Sequence, residues 1–469
     1  MMRTFTPLGI LVLTFLIVIV VVLGLLTMGS IRYGGPQGLV LRVRAEIAAH
    51  QSHPQFVPTP LPTPTGRVLG IADPTGSPLQ GILGATPERI PLVTPAVPQP
   101  QPTATARAPI VIPTQVPTSA PPPAPVHRPA QQTVQLSGFN HTWQKWNNCG
   151  PATLAMGLSY FGSNASQDQL AAVLKGNQDD KNVSPHELAA YARSAGFEAT
   201  VRVNGNFDTL RTLLSNGIPV LIETWLEEEP NNGMGHYRLL TGYDDAGQHW
   251  TAYDSYVSKG VKSADSYQGI LLPYKEMYDL WTVFNRVYVV IYTREQHATV
   301  LSILGQQNDD VTMWNVALQQ TQAELQQNPN DAFAWFNLGT DLVALRQYQA
   351  ASDAYTRARV IGLPWRMLWY QFGPFRAYYE TGQYEELVAL ANATIATAGN
   401  IEETYYWKGL GLAAVGNTSA AREAWQRAIE LNAGYTEATD ALAGLDQSQR
   451  ESRTQFPAGG VEKEAHRGV

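Results

Sequence analysis

From Pro54 to Pro129 the chain carries about two-thirds of its 32 prolines, set among threonines and alanines with few charges. Proline fixes φ and offers no N–H, so a stretch this dense in it builds neither a helix nor a sheet ladder. It also lacks the apolar content to offset the entropy of ordering a core. Residues 31–130 therefore read as a disordered linker, a semi-rigid and largely polyproline-II spacer. At about 3.1 Å per residue it spans on the order of 100–200 Å. Whatever folds lies on either side of it.

Upstream, Leu8 to Met28 is almost wholly apolar and free of charge, as in Ile17-Val18-Ile19-Val20-Val21-Val22. A helix crossing the hydrocarbon core needs about 20 such residues. A signal-peptide core is shorter and ends in a small-residue site, for which Thr27-Met28-Gly29-Ser30 is a poor match. Residues 1–30 are thus expected to form a single uncleaved transmembrane anchor, with the membrane as a partner. Arg3 precedes the span and Arg32, Arg42 and Arg44 follow it, which by charge alone leaves the bulk of the chain in the cytoplasm. The spacer argues the other way, because such stalks hold domains off a cell surface. The expected location is membrane, single-pass, with extracytoplasmic soluble domains.

Downstream, the sole cysteine sits in Gln144-Lys145-Trp146-Asn147-Asn148-Cys149-Gly150-Pro151-Ala152-Thr153. One cysteine excludes an intrachain disulfide and any Cys-rich zinc site. Gly150-Pro151 suits a helix start, and Leu154, Leu158 and Phe161 recur at helical spacing until Gly162. Cys149 then stands at a helix N-terminus, where the dipole favours thiolate, the nucleophilic form. Capping boxes at Ser166-Gln167-Asp168-Gln169 and Ser184-Pro185-His186-Glu187 open two more helices. Alternating strands follow at 197–203, 218–222, 236–243, 249–254 and 286–292, with a helix over 208–217. Helices first and antiparallel strands after make an α+β domain. The turn Asp244-Asp245-Ala246-Gly247 joins two strands so that His236 falls opposite Asp254 or its neighbour. Side chains so paired share a face, their Cβ atoms about 4.5–5.5 Å apart. A carboxylate there can fix the imidazole tautomer while the other ring nitrogen takes a thiol proton.

Gln144, Cys149-Gly150-Pro151-Ala152, Gly235-His236-Tyr237 and Tyr253-Asp254-Ser255 together resemble the C39-like cysteine peptidases, of papain-like fold. Gln144 stands one residue nearer the cysteine than the family pattern has it. The resemblance implies a cysteine peptidase domain over 131–297. Its catalytic residues would be Cys149 as nucleophile, His236 as base, Asp254 as its orienter and Gln144 in the oxyanion hole, with peptide or protein as substrate. His141 and His249 read as surface or loop residues, and Trp143 and Trp146 as packing or cleft residues. Glu227-Glu228-Glu229 reads as a solvated loop.

From Asp331 a period of about 34 residues takes over, the tetratricopeptide length. Trp335, Leu338-Gly339, Ala351, Tyr355 and Ala358 mark a first unit; Tyr405, Gly409, Leu412, Gly416, Ala421, Trp425 and Ala428 mark a third. The middle unit is degenerate, with Pro374 placed to kink its first helix. This resembles tetratricopeptide repeats, an all-α domain over 305–446 whose residues 331–446 should be separable and whose groove would dock a protein partner. The polar tail 447–469 should be disordered. A net charge of −7 and no basic stripe give no reason for nucleic-acid binding. No ligand spacing calls for a metal, and no cofactor is expected. The reading is a membrane-anchored thiol amide hydrolase with a docking module. Two rivals stand beside it: a catalytically idle interaction scaffold, and an amidase acting on cell-wall peptides.

Overall fold

The structure is a computed structural model and describes residues 55–61, 127–227, 232–257 and 267–455, with side chains as far as Gln447. The expected membrane helix lies outside the described residues, as do Glu228, Glu229 and most of the spacer. Among the described residues no helix is long and apolar enough to cross a membrane.

The first folded unit joins helices to one sheet. Its strands are β1 (Thr133–Gln135), β2 (Glu198–Arg202), β3 (Val220–Leu226), β4 (Met234–Asp244), β5 (His249–Asp254), β6 (Ile270–Pro273) and β7 (Tyr288–Tyr292). They run in the order β2-β7-β3-β4-β5-β6, with β1 added beside β4, and every pairing is antiparallel. One face carries α1 (Cys149–Ser159), α2 (Gln167–Leu174) and α3 (Pro185–Ser194), whose Leu154, Leu158, Leu170 and Leu188 pack on Leu221, Leu239 and Ile291. Gly157 lets α1 lie close, since a Cβ there would come 3.3 Å from Leu221. The other face carries α4 (Phe207–Ser215), α5 (Tyr274–Thr282) and α6 (His297–Leu304) against Ile222, Leu240, Trp250 and Tyr288. Both capping boxes form as read, at Ser166 and Ser184. The helix α5, between β6 and β7, breaks the expected run of strands.

The second unit is all helix: α7 (Asp310–Gln327), α8 (Ala332–Ala344), α9 (Tyr348–Ile361), α10 (Gly373–Glu380), α11 (Tyr384–Thr397), α12 (Glu402–Ala414), α13 (Thr418–Leu431) and α14 (Thr436–Gln455). The hairpins α8–α9, α10–α11 and α12–α13 are the three repeat units. Gly339 in the first and Gly409 in the third let the aromatic partners Tyr355 and Trp425 lie against the helix backbone. Pro374 kinks nothing, contrary to expectation. A 3₁₀ turn over Trp365–Trp369 occupies the place of the helix's start, so α10 begins at Gly373 and Pro374 falls in its first turn, where a missing N–H costs no bond. The tail also departs from expectation: α14 runs to Gln455, because Ala438, Leu442 and Leu445 pack on the third unit and give the helix a surface to follow.

The two units share a core. Trp225, Val283, Phe284 and Val287 of the sheet unit belong to one buried cluster with Met313, Phe336, Leu338 and Tyr355 of the helical unit. Asn285 Nδ2 donates to Asp341 Oδ1 at 2.6 Å, and Asn337 Nδ2 to the Thr282 carbonyl at 2.7 Å. Gln55–Leu61, expected to be disordered with the rest of the spacer, lies ordered on the repeats, because Val57 is buried there.

Candidate active site

The loop before α1 is held from two sides. Gln167, buried in the first turn of α2, accepts from the Lys145 N–H at 2.8 Å and donates to the Trp143 carbonyl at 2.7 Å and Thr142 Oγ1 at 2.8 Å. Lys175 Nζ, just past α2, reaches the Trp146 carbonyl and Asn148 Oδ1, both at 3.2 Å. Asn147 takes φ +52°, a left-handed turn that asparagine tolerates. This bend delivers Cys149 as the first residue of α1, half-buried, with its amide among those no helical carbonyl satisfies.

Opposite it, β4 presents His236. Its ring lies near the Cys149 thiol, which helps to raise the imidazole, and Nε2 donates to Asp254 Oδ1 at 3.0 Å. The expected cross-strand register does not hold: Asp254 lies opposite Arg238, and the register shifts between Leu240 and Gly242. The turn centres between Ala246 and Gly247, later than expected, which carries the pairing past His236, and the bulge in β4 returns only one residue of that shift. His236 and Asp254 therefore meet diagonally, which a long imidazole spans.

Arg238 is the residue the sequence reading missed. It is buried, and its Nε donates to Asp254 Oδ2 at 2.9 Å while Nη1 donates to Thr224 Oγ1. A cation two residues from His236 on the same strand was the signal available. The backbone N–H groups of Tyr256 and Val257 add bonds of 2.8 and 2.7 Å to Asp254 Oδ1. Burial alone would raise this carboxyl, but His236, Arg238 and these N–H groups hold it well below the usual carboxylate range. Burial likewise opposes a charge on His236; the Asp254 carboxylate overcomes it and raises the imidazole to about 9.

Gln144 is tied to the same corner. Its N–H donates to the Ser255 carbonyl at 2.8 Å, and Ser255 Oγ donates to Gln144 Oε1 at 2.9 Å. With the amide oxygen so engaged, the donor end of the side chain is left for another acceptor. His141 lies in the loop, as read, and is half-buried: it stacks on Tyr267 and bonds the Asp254 carbonyl through Nε2 at 2.9 Å. Trp143 meets both rings edge-on, while His249 sits at the strand edge.

Two further groups border the cysteine. Glu223, buried on β3, is pushed well above the usual carboxylate range by burial first and by the nearby Cys149 second. Tyr370, from the repeat unit, packs its ring on Gly235, one residue before His236, where a Cβ would come 3.2 Å from it. Neither shows in the sequence as a site residue, since each arrives from another element. Among the described residues no group of histidine, cysteine and carboxylate side chains is arranged to hold a metal ion.

Residues 129–289 match the model of the Peptidase_C39 like family. A structure described as a C39-like peptidase from Bacillus anthracis is 18% identical, covering 35% of this chain and 99% of its own, with a TM-score of 0.28. The peptidase domain of Streptococcus ComA, described as a bi-functional ABC transporter involved in quorum sensing, is 16% identical and covers 34% of this chain and 100% of its own, with a TM-score of 0.26. The first TPR of Spaghetti (RPAP3), bound to an HSP90 peptide, is 20% identical and covers 26% of this chain and 94% of its own, with a TM-score of 0.24. No curated protein matches the chain. The chain thus pairs a region that matches the C39-like family model with a helical repeat region similar to tetratricopeptide proteins.

Proposed function

We propose that residues 131–297 are a cysteine peptidase, a thiol amide hydrolase acting on peptide bonds. The observation that carries the reading is the buried His236–Asp254 pair beside Cys149, itself the first residue of a helix. Cys149 Sγ attacks the peptide carbonyl with its proton already held by the His236 imidazolium. Asp254 holds the ring in register, and Arg238 keeps Asp254 ionised. The oxyanion is received by the Cys149 N–H and the Gln144 amide. Collapse breaks the C–N bond, with His236 returning the proton to the leaving amine. Water, deprotonated by His236, then releases the acyl group. The repeats serve as a docking module, and residues 8–28 anchor the chain with its folded units outside the cytoplasm.

The test is a thiol-directed electrophilic peptide probe on the folded protein, with the adduct mapped by mass spectrometry. One adduct at Cys149 is expected, lost in Cys149→Ser and reduced at least tenfold in His236→Ala. Labelling that appears only after denaturation favours the idle scaffold.

A further inference from the structure

The spacer leaves one ordered trace on the folded body. Phe56 pairs antiparallel with Pro364, closed by Val57 N–H to the Leu363 carbonyl at 2.9 Å and Trp365 N–H to the Gln55 carbonyl at 3.3 Å. Beyond this bridge the Pro58 carbonyl accepts from Arg359 Nε at 2.9 Å, and the Leu61 N–H donates to Glu386 Oε2 at 2.7 Å. Arg359 and Glu386 are themselves paired at 2.6 Å, with side chains only 3% and 11% exposed. So the segment is gripped by a built polar pair joining α9 to α11. Pro58 and Pro60 have no N–H, which spares a strand with a single backbone partner two unsatisfied donors.

The contacts also choose this segment from the rest of the spacer. Val57 is 4% exposed within the shared core. Phe56 is the only aromatic residue between positions 54 and 129, and its ring lies 3.5 Å from where a Cβ would stand on Gly362, itself at φ +121°. The ring rims a cavity of ≈ 380 Å³ with Trp225, Phe333 and Ile361 and stays 42% exposed, so Val57 is the anchor.

We propose that residues 55–61 are a clasp: a built-in ligand that the repeat unit holds as an extended Phe-Val-Pro-Thr-Pro-Leu strand. With the clasp shut, residues 62–126 begin and end on the same folded body, since His127 is itself bonded to Ser302. The upstream chain then departs from the repeats, and the spacer adds no reach. Opening it returns up to about 200 Å of contour. The surface formed by Arg359, Leu363, Pro364 and Glu386 is accordingly a site for extended, proline-alternating segments.

Two measurements test this. In a Cys149→Ser background, the pair Phe56→Cys and Pro364→Cys should oxidise to a cross-link within one chain, because bridged positions lie within disulfide reach. A covalent dimer instead would show exchange with a second copy, and no cross-link would mean the segment does not sit here; either overturns the clasp. A labelled peptide of residues 54–62 should bind the full chain carrying Val57→Asp at least tenfold tighter than wild type, whose site is filled. Adding Arg359→Ala should abolish that gain. If Val57→Asp loses its helical circular-dichroism spectrum, or stays folded and binds no better than wild type, the segment is a fixed part of the fold and not a ligand.

Discussion

In the sheet unit the side chains that meet come from distant parts of the chain, whereas in the repeats they come from neighbouring helices. Gln144 and Ser255 are 111 residues apart, as are no two partners within a repeat hairpin. Gly339 with Tyr355, and Gly409 with Trp425, sit at the same sequence spacing and make the same close approach. Repeat packing is therefore written into a period, while the site in the sheet depends on register and on loop bends set by remote residues. The contrast stops at the boundary, because Phe284 and Tyr355 lie in one core and Asn285 bonds Asp341 across it.

The largest effect should come from cutting the two units apart. Residues 331–446, expected from their period to fold alone, leave part of their first unit uncovered once the sheet is gone. Residues 127–304 alone expose Trp225, Phe284 and Val287. Neither fragment should give a cooperative urea transition, a loss greater than about 5 kcal/mol and beyond most point substitutions. Two independent, cooperative fragments would restore the sharp contrast.

Next comes Asp254→Ala. It leaves His236 and Arg238 as buried cations without their partner, and removing one member of a buried pair costs about 3–5 kcal/mol. Denaturant melts near pH 6 measure it. A loss under about 1 kcal/mol would mean water already reaches the pair.

The pH dependence separates the site from the interface. His236 is raised to about 9, above its ordinary 6.5, so its contribution is complete below about 6.5 and vanishes as pH rises through 9. Asp341 is raised to about 8 by burial, so its cost to stability grows from about pH 4 and is complete above 8. Both make the protein weaker with rising pH. Asp341→Asn should keep the bonds to Asn285 and Thr321 and flatten the lower window, raising stability near pH 9 by about 2 kcal/mol with little change at pH 4. Asp254→Asn should flatten the upper one. An Asp341→Asn protein with an unchanged pH profile would show that interface to be hydrated.

The smallest effect compares the two glycines. A Cβ at Gly339 would come 2.6 Å from the Tyr355 ring and one at Gly409 2.3 Å from Trp425. Overpacking costs about 1–3 kcal/mol. Gly339→Ala should fall at the upper end, because Tyr355 lies in the shared core, and Gly409→Ala at the lower end, because the small terminal cluster can relax. Thermal melts of the two variants rank them; the reverse order would mean the terminal unit is the more rigid.

What the sequence alone determined is what depends on neighbours within a few residues. Both capping boxes, the start of α1 at Cys149, the strand β5 and the helical hairpins of the repeats follow from side chains that bond or pack within a turn or a repeat. Tertiary structure decided the rest. The later centre of the β4–β5 turn, only partly offset by the bulge, placed Arg238 rather than His236 opposite Asp254. The docking of α2 turned Gln167 and Lys175 into braces for the cysteine loop. The repeat unit brought Tyr370 to Gly235, and Val57 ordered seven residues of a spacer whose composition denies it a core of its own. Register, loop bends and docking are set by surfaces that exist only once the chain has folded, because contacts between remote residues carry no fixed spacing in the sequence.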